Sequence, residues 1–224
     1  MENIAFCIPS TTNNRDWTCI QETYLLKILF ESLKNIKTNH SIKLFIGYDE
    51  DDKLYSKEQI KEYNGHEVEF IKFDNSYKGN PCGIWNELSK IAINQKYEYI
   101  FICGDDIKLS SCHWLDIFIH SLKLRNNIGF SAGWSNNNNI PTQFLIHKTH
   151  LDIFGFVFPP LIKNYFCDDW MYEIYPEKFR YWNKEIYLLN LGGIPRYTPE
   201  NAKLLYKKLV TRHKKDLKKY LNSN

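Results

Sequence analysis

No stretch of this sequence approaches the roughly 20 consecutive apolar residues that a membrane-spanning helix needs. Glycine and proline are scarce, 10 and 8 residues of 224, and with an apolar fraction of 43% this excludes collagen-like, low-complexity and wholly disordered chains. The cysteines (Cys7, Cys19, Cys82, Cys103, Cys112 and Cys167) include no Cys-x-x-Cys pair, and Cys7 and Cys103 sit inside apolar runs. That pattern favours reduced, mostly buried thiols over a disulfide or zinc framework. Met1-Glu2-Asn3-Ile4 offers no basic segment ahead of the first apolar run, so no secretory signal is read and a cytoplasmic chain is the expectation. What the sequence has in quantity is aromatic: 6 Trp, 15 Tyr and 14 Phe, ample core material for one domain.

The net charge of +3 hides an uneven distribution. Between Lys203 and Lys219 lie eight basic residues and one acid, which leaves the rest of the chain with 21 basic against 25 acidic, or −4. A slightly acidic body with a basic tail fits a divalent-cation site better than a nucleic-acid groove, so no nucleic-acid partner is expected.

Short apolar runs alternate with longer amphipathic ones. Asn3 to Ile8 reads as a strand. A helix follows, with Thr18 and Gln21 as a capping box and Ile20, Tyr24, Ile28, Leu29, Leu33 and Ile36 at helical spacing. Strand Ile42 to Tyr48 runs into the acidic loop Asp49-Glu50-Asp51-Asp52, and a charged helix from about Leu54 to Tyr63 leads to strand Val68 to Phe73. After Gly79-Asn80-Pro81 comes helix Ile84 to Ile93, then strand Tyr97 to Cys103 ending at Gly104-Asp105-Asp106. Beyond it the pattern predicts an amphipathic segment Trp114 to Leu124, strands Ile128 to Ala132 and Gln143 to His147, and a short helix Thr149 to Phe154 stopped by Gly155. A strand Ile186 to Asn190 and a last helix opened by Thr198-Pro199 complete it, the helix turning Ala202, Leu205, Tyr206, Leu209, Leu217 and Leu221 inward. The run Asn136 to Asn139 reads as compositional bias on a loop. The fold class is α/β: a mostly parallel central sheet with helices on both faces, in one domain over 1–224, with ligands beyond the C-terminal strand ends.

Two acidic pairs carry the chemistry. Tyr99 to Asp106 is an apolar strand that delivers Asp105 and Asp106 at its C-terminal end. Mg²⁺ and Mn²⁺ prefer oxygen ligands and commonly use one or two carboxylates plus substrate phosphates. The plain alternative is an Asp pair capping the next segment. Asp168-Asp169-Trp170 opens a potentially helical segment, where a carboxylate near bound phosphate could act as a general base, or simply cap the helix.

In the order of these parts the sequence resembles GT-A fold glycosyltransferases, most closely glycosyltransferase family 2, over roughly residues 3 to 195. Ile8-Pro9-Ser10-Thr11-Thr12-Asn13-Asn14-Arg15 is a loose version of the family's Pro-Thr-x-x-x-Arg, and Asp49-Glu50-Asp51 stands where its acidic loop contacts the nucleotide base. Gly79-Asn80 through Asp105-Asp106 follows the family's loop, helix and metal-motif strand. Phe144 to Phe156 looks like its strand, short helix and Gly-Phe, and Asp168-Asp169-Trp170 stands where Glu-Asp-Trp would.

The resemblance implies a UDP-sugar or other nucleotide-diphospho donor, a glycan or other hydroxyl acceptor, Mn²⁺ or Mg²⁺, and an inverting reaction. It would place the donor near Pro9, Thr11, Arg15, Asp49, Asp51, Gly79, Asn80 and Asp105, with Asp49 or Asp51 receiving the base N–H. Asp106, with Asp105, would bind the metal, and Asp169, beside Asp168, would be the catalytic base. Where the family often has His before Gly-Gly, this chain has Asn190 before Leu191-Gly192-Gly193, so Asn190 and His213 are rival further ligands; His213, on the apolar face of the last helix, is read first as a core residue. The nucleotide-binding half would cover about 1–106, the acceptor half about 107–197 and the basic helix about 199–221. Among Trp85, Trp114, Trp134, Trp170 and Trp182, the expected sugar-stacking rings are Trp134 and Trp170. The basic helix is either a solvated face or a peripheral contact with an anionic membrane or the donor diphosphate. A metal-dependent nuclease built on Asp105, Asp106 and Asp168, and a binding-only homologue, are the rival readings. A sugar nucleotidyltransferase is disfavoured, because no N-terminal glycine-rich loop cradles a triphosphate.

Overall fold

A computed structural model describes every residue except 58, 59, 137, 138, 194–197, 199 and 224. Strand β1 (Asn3–Pro9) pairs in parallel with β2 (Ser41–Asp49) on one side and β5 (Tyr99–Ile102) on the other, and β2 pairs in parallel with β4 (His66–Phe73). Beyond β5 the sheet turns mixed. β8 (Phe144–His147) runs antiparallel to β5 and to β7 (Phe130–Trp134), which is parallel to β9 (Arg180–Asn190), and β9 is antiparallel to β6 (Ile107–Leu109). With β3 (Glu62–Tyr63) at the far edge, the order is β3-β4-β2-β1-β5-β8-β7-β9-β6.

The core follows from strand alternation. Ala5 and Cys7 of β1 enter one cluster while Ile4, Phe6 and Ile8 enter the other, and all five are fully buried. A strand buried on both faces must be apolar, as β1 is from Ile4 to Ile8. The first cluster is closed by α2 (Pro81–Asn94), α4 (Thr149–Phe154), α5 (Cys167–Ile174) and α6 (Lys203–Ser223); the second by α3 (Trp114–Lys123) and the segment that ends in α1 (Glu31–Leu33). α4 stops at Gly155, whose φ of 79° is left-handed, as the sequence predicts.

Three expectations need correction. The helix expected from about Leu54 to Tyr63 is instead a single 3-10 turn (Tyr55–Lys57) followed by β3, with residues 58 and 59 outside the described set. Asn64 and Gly65 both have positive φ, 51° and 78°, and turn β3 back onto β4; an Asn-Gly hairpin signal overrides the helical period. The first helix is broken into a 3-10 turn (Ile20–Glu22), a π-helical run (Leu25–Phe30) and α1, and Thr18 is bonded by Glu22, not Gln21: Thr18 N donates to Oε2 at 2.6 Å. The last helix begins at Lys203, four residues later than expected; Pro199 lies outside the described residues.

Gly47 shows how closely β2 and α2 approach. A methyl group there would collide with Ile84 Cγ2 and lie 2.9 Å from Phe73 Cε2, both core atoms with little room to yield. Gly47→Ala is predicted to cost about 1–3 kcal/mol, the usual range for overpacking, read as a lower midpoint in equilibrium urea unfolding. An unchanged midpoint would mean the helix can shift away from the sheet.

Candidate active site

The parallel strands eject their polar groups at one end. Pro9, Ser10 and Thr11 leave β1 there, Asp49 ends β2, and Asp105 follows β5. Asp105 has no solvent exposure, and its Oδ2 accepts from Ser10 Oγ at 2.5 Å; Ser10 Oγ also lies 2.7 Å from the Tyr55 hydroxyl. A buried carboxylate without donors would be costly, so this bond ties the ends of β1 and β5 together. Asp52, equally buried, accepts from Thr12 N (2.6 Å), Thr12 Oγ1 (2.8 Å), Tyr55 N (2.9 Å) and Leu54 N (3.1 Å), which fixes the acidic loop against β1.

Between these strand ends and α2 lies a cleft open to solvent. Pro9, Thr11, Asp49, Gly79 and Asn80, all named for the donor from the sequence, line it together with Ser10, Asn13, Tyr77 and Lys78. Asp51 stands just behind: Asn13 Nδ2 donates to it at 2.9 Å and to Asp49 at 3.3 Å, and Lys78 pairs with it at 2.5 Å, which holds its carboxyl below the usual range. Asn80 caps α2, its Oδ1 accepting from Gly83 N at 2.9 Å, so the positive end of a 14-residue helix faces the cleft. Arg15 is not among the lining residues; its guanidinium lies over Tyr24 and Trp17, 5.3 and 5.8 Å from the ring centres.

Asp106 is half-buried next to Asp105. Its carboxylate occupies space bounded by Gly104 and Gly192, and a Cβ on either would run into a carboxylate oxygen. The second glycine arrives through the β6–β9 pairing, in which Ile107 faces Asn190, and Leu191 N donates to Asp106 O at 2.9 Å. Asn190 is exposed and uses its Oδ1 to accept from Gly192 N at 3.0 Å. Asn136 holds this turn from outside: its side chain donates to Asn190 O and accepts from Asn190 N, each at 2.9 Å. One member of the asparagine run thus has a structural task that composition alone concealed; Asn137 and Asn138 lie outside the described residues.

Asp168 and Asp169 open α5, and this end is fastened to the N-terminus of α2. Cys82 N donates to Lys163 O at 3.1 Å, and Asn164 Nδ2 donates to Gly79 O at 3.1 Å. Asp168 is enclosed by protein although part of its surface is accessible. Burial pushes its carboxyl up to about 7, helped by Asp169 and opposed by the Cys167 thiol, which lies 3.6 Å from Oδ1. Asp169 is raised less, first by burial and then by Glu173 one turn on.

Trp170 is fully buried against Phe154, Phe156 and His150, so the sequence-based expectation that it stacks on a sugar is corrected: it has no free face. Its Nε1 lies 3.2 Å from Nδ1 of buried His213, far into the aromatic cluster. Trp134 is half-buried and meets Tyr187 edge-on. Sequence reasoning missed Ser10, Asn13, Asp52 and Lys78. For Asp52 the signal was present, as the fourth acid of its loop; for Ser10 only its place after the strand-ending proline pointed to it.

No protein-family model and no curated protein matches the chain. Solved structures do. TarS of S. aureus, residues 1–349 in complex with UDP-GlcNAc, matches with a TM-score of 0.62 at 13% identity, over 95% of this chain and 66% of that one. The fold is that of the GT-A glycosyltransferases. TarS 1–349 in complex with UDP gives a TM-score of 0.57 at 13% identity (95% and 65% covered), and TarS 1–349 alone gives 0.55 at 15% (95% and 65%). The present chain therefore spans just under two thirds of the length of TarS 1–349.

The raised carboxyl of Asp168 has a consequence for stability. Its folded pKa, about 7, lies above its ordinary value of 3.8, so between these the native state holds a proton that the unfolded chain releases. Stability from this residue is fully present below about pH 4 and is lost as pH rises toward 7. Asp168→Asn is accordingly predicted to gain on the parent protein between pH 4.5 and 8, measured by urea unfolding at both values. A difference that is flat with pH would place Asp168 in water.

Proposed function

We propose that the chain is a metal-dependent glycosyltransferase that moves a sugar from a nucleoside-diphospho donor, with uridine as the base, to a hydroxyl of a glycan or other acceptor, with inversion. The observation that carries this reading is the cleft at the ends of β1 and β2. One wall holds Asp49 and Asn13, with Asp51 just behind, the other is the N-terminus of α2 with Lys78, and Asp105-Asp106 follows the adjacent strand β5. Crystals of TarS, which shares the fold, hold UDP-GlcNAc or UDP. The division into a nucleotide half, an acceptor half and a basic helix is part of the same proposal.

In this reading Asp49 accepts the N3–H of uracil while the Asn13 amide supports it, and the diphosphate lies toward α2, where helix dipole and Lys78 offset its charge. Among the described residues no three His, Cys, Asp or Glu side chains converge as a metal cluster. A Mg²⁺ or Mn²⁺ bound through substrate does not require one, because one or two carboxylates with phosphate oxygens and water suffice. The glycines around Asp106 leave its carboxylate the room that such a ligand needs, and Asp105, held by Ser10, supports it. Asn190 Oδ1 is engaged by Gly192 and His213 sits against Trp170, so neither is assigned as a ligand here. When bound, the ion would stabilise charge building on the departing diphosphate. Asp169, half-buried at the first turn of α5, takes the proton of the acceptor hydroxyl; its raised pKa brings it closer to working pH than a solvated carboxylate.

Two experiments test this. UDP should raise the melting temperature more with Mn²⁺ than with EDTA, and Asp106→Ala should erase the difference; equal stabilisation in EDTA would remove the metal from the proposal. With UDP-sugar donors and a panel of hydroxyl acceptors, Asp169→Asn should lower kcat by at least about 10²-fold and leave donor affinity within a few-fold, while Asp168→Asn stays milder. The reverse ranking would move the base by one residue, and donor binding without turnover across the panel would favour a binding-only protein.

A further inference from the structure

Helix α6 carries the most lopsided charge on the molecule. Eight basic residues between Lys203 and Lys219 accompany one acid, Asp216, and all eight are exposed, while Tyr206, Leu209, Val210, His213 and Leu217 are buried against the body. Among the described residues none of the eight pairs with a carboxylate. At 3.6 residues per turn Lys207, Lys214 and Lys218 follow one edge and Lys208, Lys215 and Lys219 the other. The outward half of this 21-residue helix is therefore a basic strip about 24 Å long, from Lys203 to Lys219.

A second feature adjoins its root. Leu204 is 79% exposed, Leu161 64% and Tyr165 42%. The loop that carries Leu161 and Tyr165 is fixed to the approach to α6. Asn164 Oδ1 accepts from Glu200 N at 3.0 Å, Lys163 pairs with Glu200 at 3.1 Å, and Phe166 stacks on Tyr206 with ring planes 8° apart. Apolar tips and the lysine strip thus share one neighbourhood.

A solvated face accounts for the lysines but not for the leucines beside them. A polyanion such as nucleic acid would neutralise the lysines, leave Leu161 and Leu204 in water, and meet repulsion from a body of charge −4 beyond the helix. A bilayer satisfies both: its phosphates meet the strip while Leu and Tyr reach the acyl boundary. The apolar face of α6 is already committed to the core, so the contact is peripheral and needs no insertion of the helix.

We propose that α6 and the loop 161–165 form a docking surface for an anionic lipid bilayer. None of its residues lines the cleft, although Asn164 is bonded to Gly79 at the edge of the cleft, and the proposal does not rest on the transferase reading. Vesicle co-sedimentation of the full chain tests it, with phosphatidylcholine alone or mixed with phosphatidylglycerol. Binding is expected only with phosphatidylglycerol and should weaken as salt rises. Combined Lys207→Glu, Lys214→Glu and Lys218→Glu should lower the bound fraction at least about tenfold, and Leu161→Ser with Leu204→Ser should lower it at unchanged melting temperature. Absence of binding to anionic vesicles at low salt, or equal binding to neutral ones, overturns the proposal. So does equally tight binding of a single-stranded oligonucleotide that the leucine substitutions leave unaffected.

Discussion

Strand β1 has no face toward solvent, and the arrangement of the site follows from that. From Ile4 to Ile8 its side chains enter one core or the other, so polar groups can appear only at its ends. The first that does, Ser10, meets a carboxylate with no exposure, Asp105. Once a charge is enclosed this far, its donors are obligatory, and the bond fixes the ends of β1 and β5 relative to each other. The same reasoning applies to Asp52, whose four donors lock the acidic loop.

A division of labour recurs in the acidic groups. Asp105 is sealed and organises, while Asp106 is left half-exposed between glycines. Asp52 is sealed and braces the loop that presents Asp49 and Asp51 to the cleft side. Asp168 is enclosed enough to favour its neutral form, while Asp169 is less perturbed. Adjacent carboxylates repel each other; an internal hydrogen-bond donor or a bound proton on one of them lessens that repulsion.

Much of the fold was legible because its strands are buried runs and its long helices are periodic: β1, β2, α2 and α3 stand close to where apolar spacing puts them. The failures have local causes. At Leu54 to Tyr63 a helical count was made across a segment whose outcome is set by Asn64-Gly65, since two consecutive positive-φ residues fix a hairpin whatever precedes them. The break at Thr23 arises from its hydroxyl, which donates to Ile20 O at 2.7 Å and competes with helix continuation. In the candidate site, Asp105 and Asp106 were conspicuous as acids after an apolar strand, and the family resemblance pointed to Asp49 and Asp51. Ser10, Asn136 and the glycines facing Asp106 were invisible: their roles depend on which chain segment comes to lie opposite.

That last dependence explains why the second half of the chain matters to a cleft built by the first. The enclosure of Asp106 is completed by Gly192, which reaches it only because β9 pairs with β6 and Asn136 holds the turn at Asn190. These contacts join residues far apart in sequence, so they form only when the sheet is assembled from β5 through β8, β7 and β9. Glycine is required at 192 for space: any side chain there would displace the Asp106 carboxylate. The cleft residues at the ends of β1 and β2 and the Asp106 carboxylate are therefore structurally separable in this protein, since the first depend on β1, β2 and α2 and the second on the edge formed by β6 and β9.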